Sequence, residues 1–481
     1  MNADIGLIGL AVMGQNLVLN MDDHGFTVAV FNRSTDKVDD FLAGPAAGSR
    51  VIGTHSIEAL VGSLATPRKV MLMVKAGEVV DHYIEQLLPL LDPGDIIIDG
   101  GNSLFTDTER RVRELKQRNI LFVGAGVSGG EEGARHGPSI MPGGNADAWP
   151  SIRPILQAIA ARAGDDEPCC NWVGGGGSGH YVKMVHNGIE YGDMQLIGEA
   201  YHMLGNAGFN YPQMQAVFAR WNTGVLNSYL IEITADILGF TEPDGSHLLA
   251  NILDAAGQKG TGKWAGINAL EHGIPLTLIT ESVFSRCISA LKAQRVDAAA
   301  ILSGPDDAGS VDRDTLVVDL EQGLYAAKIV SYAQGFMLLK EASDASGWDL
   351  DYRAIALLWR GGCIIRSVFL DDIATAFGDD KSLSNILLAP FFREAIDAAQ
   401  PGWRKCVVGA VEQGIPVPCL GAGLAFYDSF RAEVLPANLI QAQRDYFCAH
   451  TYERVDKPRG EFFHTDWTGR GGDVASSQYQ V

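Results

Sequence analysis

Short apolar runs alternate with longer amphipathic stretches over about the first 173 residues of the chain. Each run has the length and the Val/Ile content of a buried strand, and each is followed by turn residues and then by apolar positions three and four apart. This alternation predicts a doubly wound, parallel α/β sheet with helices on both faces. The strands are predicted within 4–10, 27–31, 69–74, 95–99 and 120–123.

From there to about residue 435, helical periodicity dominates and strand patterns fade. The glycine run Gly174–Gly177 separates the two regions and is interpreted as a hinge or domain border, with Ser178 as a candidate cap for the next helix. The sequence therefore predicts an α/β domain at 1–176, a large all-α domain at 177–435 and a C-terminal tail at 436–481. The polar, glycine-rich stretch at 469–473 favours an extended end to that tail.

A weak internal similarity runs through the helical region. Tyr191–Leu204 resembles Tyr325–Leu338, and Trp221 with Gly224 resembles Trp359 with Gly362, at an offset of roughly 135 residues. An internal duplication of a helical unit is one interpretation, and chance similarity is the other.

Composition and charge exclude several classes of protein. The chain has 481 residues, of which 47% are hydrophobic and 20% charged, so it is globular and long enough for two or three domains. A net charge of -21 argues against a nucleic-acid or anionic-membrane partner. The seven cysteines show neither disulfide nor metal-site spacing. Because there is also no signal peptide and no apolar run of about 18 residues, we expect a soluble, cytoplasmic protein.

The first strand leads into a glycine-rich turn of the G-x-A-x-x-G type, made by the run Gly9, Leu10, Ala11, Val12, Met13 and Gly14. Gly9 permits a tight turn, Ala11 lets the backbone approach a pyrophosphate, and Gly14 allows close packing of helix on strand. Because a helix and a second strand follow at the expected places, the turn predicts a Rossmann-like dinucleotide-binding domain.

The residues after the second predicted strand bear on which dinucleotide binds. An NAD site normally places Asp or Glu there for the ribose 2′-hydroxyl, whereas this chain has Asn32, Arg33 and Ser34. A guanidinium can pair with a 2′-phosphate, so NADP is favoured over NAD. An ordinary loop arginine is the alternative.

Three further loops follow predicted strands and should meet at the same edge of the sheet. They contain Val74, Lys75 and Ala76, then Gly100–Ser103 with Asn102, and then Gly126–Gly130 with Ser128, Gly129 and Gly130. Glycine-rich loops with amide and hydroxyl donors suit a polar, anionic ligand.

One predicted helix carries Lys183, His186, Asn187 and Glu190 at i, i+3, i+4 and i+7, so all four project from one face. The surrounding positions are apolar, which indicates that this polar stripe lines a cleft in a buried helix. An amine, an imidazole, an amide and a carboxylate on one face suit proton transfer. The alternative is a solvated amphipathic face with a loose Lys/Glu pair.

Six longer motifs extend this pattern along the chain: Gly-Leu-Ala-Val-Met-Gly-Gln-Asn (9–16), Asp-Gly-Gly-Asn-Ser (99–103), Gly-Val-Ser-Gly-Gly-Glu-Glu-Gly-Ala-Arg (126–135), Lys-Met-Val-His-Asn-Gly-Ile-Glu-Tyr-Gly-Asp-Met-Gln (183–195), Gly-Gln-Lys-Gly-Thr-Gly-Lys-Trp (257–264) and Gln-Arg-Asp-Tyr-Phe (443–447) with His450. With these motifs the chain resembles the decarboxylating 6-phosphogluconate dehydrogenases over essentially its whole length. It departs from their usual pattern at Ser34, Ser178 and Cys448.

The resemblance implies a homodimer with NADP as oxidant and no metal. It implies conversion of 6-phosphogluconate to ribulose 5-phosphate and carbon dioxide in the pentose phosphate pathway, with 177–435 serving substrate binding and dimerisation. The resemblance also implies three groups of substrate ligands. The carboxylate would be bound by Ser128, Gly129 and Gly130, and the hydroxyls and C1 end by His186, Asn187 and Asn102, of which Asn102 also borders the cofactor. The phosphate would be bound by Tyr191, Lys259, Thr261 and Arg286, joined by Arg444 and His450 from the partner subunit's tail.

That chemistry needs a base and an acid. A buried Lys183 can act as base on the 3-hydroxyl and then, once protonated, stabilise the keto oxygen, while Glu190 protonates C1. Two alternatives stay open: a non-decarboxylating NADP-linked 3-hydroxyacid dehydrogenase, and an inactive binding or scaffold homologue. Retention of both Lys183 and Glu190 argues against the second.

Overall fold

The structure is a computed structural model that describes residues 2–305 and 312–471. The chain divides into two compact units, Met1–Gly423 and Leu424–Val481. The strands of the described residues are β1 Ile5–Ile8, β2 Val28–Phe31, β3 Ile52–Gly53, β4 Lys69–Leu72, β5 Ile96–Asp99, β6 Leu121–Val127, β7 Ile140–Gly144, β8 Gly174–Gly175, β9 Tyr452–Glu453 and β10 Phe462–Phe463.

The helices of the described residues fall into two groups. Those that cover the sheet are α1 Val12–Asp23, α2 Asp36–Ala43, α3 Ile57–Gly62, α4 Glu78–Leu87, α5 Phe105–Lys116, α6 Gly130–His136 and α7 Trp149–Ile159. Those that follow are α8 Ser178–Asn206, α9 Tyr211–Trp221, α10 Tyr229–Gly239, α11 Thr261–Glu271, α12 Thr277–Ser289, α13 Lys292–Ala299, α14 Arg313–Ser346, α15 Tyr352–Leu358, α16 Leu370–Asp379, α17 Pro390–Glu412, α18 Pro418–Phe430 and α19 Ala437–Cys448.

Eight strands form one sheet in the order β3-β2-β1-β4-β5-β6-β7-β8. The first six follow the 3-2-1-4-5-6 order of dinucleotide-binding folds. Neighbouring strands are parallel except β6 and β7, which are antiparallel. The five predicted strands are confirmed as β1, β2, β4, β5 and β6. The predicted border Gly174–Gly177 is not simply a loop, because its first two residues pair with Gly143 and Gly144 as the last strand.

Helices bury both faces of this sheet, which is why its strands are apolar throughout. Successive side chains of a strand point to opposite faces, so Ile5 and Leu7 join one core with residues of α1 and α7. Ile8 joins a second core on the other face with residues of α3 and α4. The two cores hold the carboxyl ends of β1, β2, β4 and β5 together at one edge.

Two long helices, α8 and α14, form the centre of the helical region. Both are buried on nearly all sides, and α8 packs on β6, β7, α11, α12 and α14. Ser178 was expected to cap α8, but Gly177 occupies the N-cap position and the Ser178 hydroxyl is buried without a partner. Across residues 2–305 and 312–471, we find no helix with the length and apolar character that a membrane span requires.

The two segments of the weak internal similarity meet in the structure. The loop between α9 and α10 runs antiparallel to the loop between α15 and α16, with Ser228 opposite Ser367. The Tyr229 amide donates to the Arg366 carbonyl at 3.1 Å, and the Val368 amide donates to the Asn227 carbonyl at 3.0 Å. Each loop joins two short helices that follow a long one, so the arrangement supports a duplicated unit, which stays a prediction.

The second unit contains α19 and the antiparallel pair of β9 and β10. The buried carboxylate of Asp445 holds these elements together, since it accepts hydrogen bonds from the amides of Thr451 and Thr465 and from the Trp467 indole. The predicted tail is thus a folded segment as far as residue 471. The last part of the glycine-rich stretch lies outside the described residues.

A buried ion pair joins the two central helices: Lys328 of α14 donates to Asp193 of α8, and both side chains are essentially inaccessible to water. Burying two charges is costly, and the cost is offset only while both are present.

Replacing Lys328 with methionine should therefore lower the free energy of unfolding by about 3–5 kcal/mol, because Asp193 would keep a buried charge without a cation. A matched control is Lys292→Met, which removes an exposed pair with Asp254 and should change the free energy of unfolding far less. Denaturant unfolding at one protein concentration measures both. Equal losses in the two variants would contradict the role of burial.

Candidate active site

The predicted dinucleotide turn has the geometry that its sequence requires. Gly9 lies at φ +108°, and a side chain there would meet the Met73 carbonyl, since a Cβ would lie 2.4 Å from that oxygen. A Cβ on Gly14 would lie 1.9 Å from the Gly9 carbonyl. Helix α1 begins at Val12 after Ala11, which provides no side-chain cap. The amides at the start of α1 are therefore directed at the space above the turn, where a pyrophosphate fits.

The loop after β2 is tied to this turn. The Asn32 side chain accepts a hydrogen bond from the Leu10 amide at 3.0 Å and donates to the Ser34 carbonyl at 3.0 Å. Arg33 and Ser34 are exposed beside it. The run Gly9 to Gly14 and the run Asn32 to Ser34 thus form one surface, and their binding of a dinucleotide stays a prediction.

The loops after β4 and β5 lie next to each other. A Cβ on Gly101 would lie 3.2 Å from the Val74 carbonyl, and a Cβ on Gly9 would touch the Val74 side chain. Lys75 and Asn102 are exposed, and Ala76 is half-buried. The structure therefore brings these two loops and the glycine turn to the same edge of the sheet.

Lys183 lies on α8 where that helix crosses β6. The two elements approach so closely that a Cβ on Gly126 would lie 2.4 Å from the Lys183 Cβ. The lysine is buried, and burial lowers its pKa to about 8, although the negative charge of Glu190 opposes the shift. Lys183 can therefore exist as a neutral amine near neutral pH, which a general base must do.

His186 connects Lys183 to the loop after β6. Its Nδ1 lies 3.3 Å from the Lys183 Nζ and 3.0 Å from the Asn187 Oδ1, and its Nε2 lies 3.1 Å from the Ser128 Oγ. Burial and the neighbouring lysine hold the pKa of His186 well below its usual value, so the ring is neutral. A proton on Nδ1 satisfies two of these contacts, because Asn187 accepts it and Ser128 donates to Nε2. In this tautomer Nδ1–H faces Lys183, which favours the neutral amine.

Glu190 lies one turn beyond His186, with its Oε2 3.9 Å from the His186 Nδ1. Burial raises its pKa, and the positive charges of Lys183 and Arg286 oppose that shift. The pKa values of Lys183 and Glu190 thus both move towards neutral pH, from opposite sides, which suits a general base and a general acid.

A cationic cluster lies along α8 beyond Glu190. The Arg286 guanidinium stacks on the Tyr191 ring at 3.5 Å, and the Lys259 amide approaches the Tyr191 hydroxyl at 3.4 Å. Thr261 accepts a hydrogen bond from the Asn187 amide group at 3.2 Å, which joins this cluster to the polar stripe. The four predicted phosphate ligands of the first unit are therefore neighbours.

The remaining predicted ligands have different positions. Gly129 and Gly130 follow Ser128 at φ +107° and +62°, at the start of α6. Arg444 lies in α19 and His450 lies just after it, both in the second compact unit rather than in the one that holds Lys183. Among the described residues, no group of three or more His, Cys, Asp or Glu side chains has the arrangement of a metal site.

Sequence reasoning missed a set of polar residues behind the loops after β4 and β5: Asp99, Thr108, Arg111 and His180, which are buried, and Asp81, which is half-buried. One signal was present, because Thr108, Arg111 and Leu115 are spaced to share a helix face and all three are buried in α5. An arginine among such positions indicates a buried, paired guanidinium.

Two family profiles match the chain. Residues 4–174 match the NAD binding domain of 6-phosphogluconate dehydrogenase, and residues 179–467 match the 6-phosphogluconate dehydrogenase C-terminal domain. Curated relatives named "6-phosphogluconate dehydrogenase, decarboxylating" align with this chain along its full length. The sheep (Ovis aries) protein is 59% identical over 481 residues, covering 100% of this chain and 99% of the relative, and that of Haemophilus influenzae is 59% identical over 479 residues, covering 99% of each.

A solved structure is also similar. The 6-phosphogluconate dehydrogenase of Plasmodium falciparum, solved in its apo form and in complex with its cofactor NADP+ and its substrate 6-phosphogluconate, superposes with a TM-score of 0.91. It is 44% identical, and the match covers 96% of this chain and 100% of that one. The two profiles together, the curated relatives and the solved structure each match nearly the whole length of the chain. The chain belongs to the decarboxylating 6-phosphogluconate dehydrogenase family.

Proposed function

We propose that the protein oxidises and decarboxylates 6-phosphogluconate to ribulose 5-phosphate and carbon dioxide, with NADP as the oxidant. The observation that carries this proposal is the position of Lys183 and Glu190 on one face of α8, with opposite pKa shifts, between the cationic cluster and the dinucleotide turn. The substrate and cofactor named for the Plasmodium falciparum relative support it.

The residues of the dinucleotide surface fit NADP. Gly9 and Gly14 lie against the carbonyls of Met73 and Gly9, so the tight turn of the dinucleotide fingerprint has no room for a side chain at either position. The exposed Arg33 offers a planar guanidinium for a 2′-phosphate. The adjacent loops would add contacts from Val74, Lys75, Ala76 and Asn102. When bound, NADP supplies the acceptor for the hydride from C3 of the substrate.

Three roles follow for the residues of α8. Lys183, as a neutral amine, takes the proton of the 3-hydroxyl. The resulting ammonium lies beside the oxygen of the 3-keto acid and stabilises its negative charge while the carboxylate leaves as carbon dioxide. Glu190, as a carboxylic acid, then donates a proton to the carbon of the resulting enediolate that becomes C1 of ribulose 5-phosphate, while the enolate oxygen becomes the ketone.

The other ligands hold the substrate in one orientation. Ser128, Gly129 and Gly130 would bind its carboxylate, and Asn102, His186 and Asn187 its hydroxyls. Lys259 and Arg286, with Tyr191 and Thr261, would bind its phosphate. Lys259 and Arg286 would supply the positive charge that an anionic sugar acid needs in a chain of net charge -21.

We also propose that the protein is a homodimer in which Arg444 and His450 of the partner subunit complete the phosphate site. Apolar side chains are exposed on α11 and α12 and in the second unit, which is typical of interaction surfaces: Ile267, Leu270, Phe284, Ile288, Leu439, Ile440 and Phe447. Sedimentation equilibrium should give twice the 51.6 kDa of the chain, and a monomer would contradict the proposal.

The reaction belongs to the pentose phosphate pathway, and we place the protein in the cytoplasm. All seven cysteines are free thiols, as a reducing compartment favours. Recovery of the protein in a membrane or extracellular fraction would contradict this location.

The decisive experiment mixes purified protein with 6-phosphogluconate and NADP, in the presence of a chelator, and follows NADPH and carbon dioxide together. Equal amounts of both products are expected. NADPH without carbon dioxide would indicate a simple hydroxyacid dehydrogenase, and the absence of both would favour a binding protein.

Replacing Arg33 with aspartate should weaken NADP far more than NAD, because a carboxylate repels a 2′-phosphate and accepts a 2′-hydroxyl. We expect the ratio of kcat/KM values for the two cofactors to fall by roughly 10²-fold or more. Arg118→Asp is the matched control, since that exposed residue precedes β6 at the opposite end of the sheet. An unchanged cofactor ratio in Arg33→Asp would refute the assignment.

A further inference from the structure

Arg111 of α5 is a buried arginine that lies behind the loops after β4 and β5. Its side chain is 1% exposed. The guanidinium donates to both oxygens of Asp81 at 2.9 Å, to the Gly77 carbonyl at 3.0 Å and to the Asp99 carboxylate at 3.4 Å. These four hydrogen bonds reach three partners at once, which the planar guanidinium of arginine can do and the single ammonium of lysine cannot.

Asp99 carries the connection into the second loop. Its carboxylate is fully buried and accepts hydrogen bonds from the Gly101 amide at 3.0 Å and from the Ser103 hydroxyl at 2.6 Å. These two donors flank Asn102. The side chain of Asn102 is therefore presented by a turn whose shape depends on the Asp99 carboxylate.

The same network reaches the start of α8. The His180 Nε2 lies 3.1 Å from the Asp99 carbonyl, and its Nδ1 lies 2.6 Å from the Thr108 hydroxyl. Burial lowers the pKa of His180, so a neutral ring donates to Asp99 and accepts from Thr108. Lys183 is three residues further along the helix.

We propose that Arg111 is a positioning residue that holds the loop Val74–Gly77 and the loop Gly100–Ser103 in register with each other. The inference rests on the proposed function, in which the first loop contacts the cofactor and Asn102 contacts both cofactor and substrate. A shift of either loop by a fraction of an ångström changes the distance between the reacting groups, to which rate is steeply sensitive.

The test compares Arg111→Lys with wild type in the full-length protein. Lysine keeps the charge and the pair with Asp81 but cannot also reach Gly77 and Asp99. We expect the KM for NADP to rise by about 10-fold and kcat to fall by about 10- to 100-fold, while the KM for 6-phosphogluconate changes less. Arg110→Lys is the matched control, because Arg110 pairs with the same Asp81 but is partly exposed and contacts neither loop. That variant should behave as wild type.

Two further measurements keep the outcome clear. Ser103→Ala removes one hydrogen bond to Asp99 and should shift the same two parameters in the same direction by a smaller factor, which covers the case in which Arg111→Lys does not fold. Calorimetric binding of NADP needs no turnover, so a loss of binding in the variants separates this proposal from a failure of the proposed function. A lower Tm with wild-type kcat and KM in both variants would show a purely structural role and overturn the proposal.

Discussion

Replacing Lys183 with methionine is expected to lower turnover by at least about 10⁴-fold, because in the proposed mechanism this one side chain supplies both the base for oxidation and the cation for decarboxylation. Methionine fills the space beside Gly126 but has no proton to exchange. The matched variant is Lys183→Arg, which keeps a positive charge and cannot act as a base near neutral pH. NADPH absorbance measures turnover, and calorimetry with 6-phosphogluconate measures binding.

The pH profile tests the role of Lys183 as the base. Since burial lowers its pKa to about 8, the neutral base becomes abundant as the pH rises through 8, and kcat/KM should rise with it. Below that pH the ammonium predominates, and activity should fall. An active Lys183→Arg enzyme, or a profile without a limb near pH 8, would assign the base to another group.

Replacing Glu190 with alanine should spare NADP binding and lower turnover by roughly 10² to 10⁴-fold, because the enediol would lose its proton donor. Glu190→Gln is the matched variant, since it keeps the size of the side chain but not the acid. Both variants should lose turnover to the same extent if the function of Glu190 is to donate its carboxylic acid proton. In deuterated water, wild type should add solvent deuterium to one face of C1 of ribulose 5-phosphate, and the variants to both faces.

A glutamine variant with wild-type turnover would remove the acid assignment, even if alanine remained impaired through lost packing. Retention of single-face labelling in slow variants would point to another donor in the same pocket.

Local patterns were sufficient to predict the glycine turn and the polar stripe of α8. Both features are made by residues that are close together in the chain. The spacing of seven residues alone places Lys183 and Glu190 on one face of a helix. The strands β3, β7 and β8 were not predicted, because two are only two residues long and β7 reads Ile-Met-Pro-Gly-Gly. Their pairing depends on the neighbouring strand rather than on their own composition.

Adjacent arginines show a second limit. Arg110 and Arg111 are neighbours in α5, and the spacing of Arg111 with Thr108 and Leu115 indicates that it is the buried one, but not which partners its guanidinium contacts. The tautomer of His186 likewise depends on Ser128, which lies 58 residues away in the chain. Such contacts between distant segments cannot be derived from the spacing of residues along one segment.

The close contact of α8 with β6 has a consequence for how catalysis begins. A helix that follows a flexible hinge would carry its base through an arc, and each turnover would require that base to find its place. Here Gly174 and Gly175 belong to the sheet, and β6 allows no gap beneath Lys183. In the proposed mechanism, Lys183 and the strand ends at the dinucleotide turn are therefore parts of one preorganised frame, and little reorganisation energy remains to be supplied when substrate arrives.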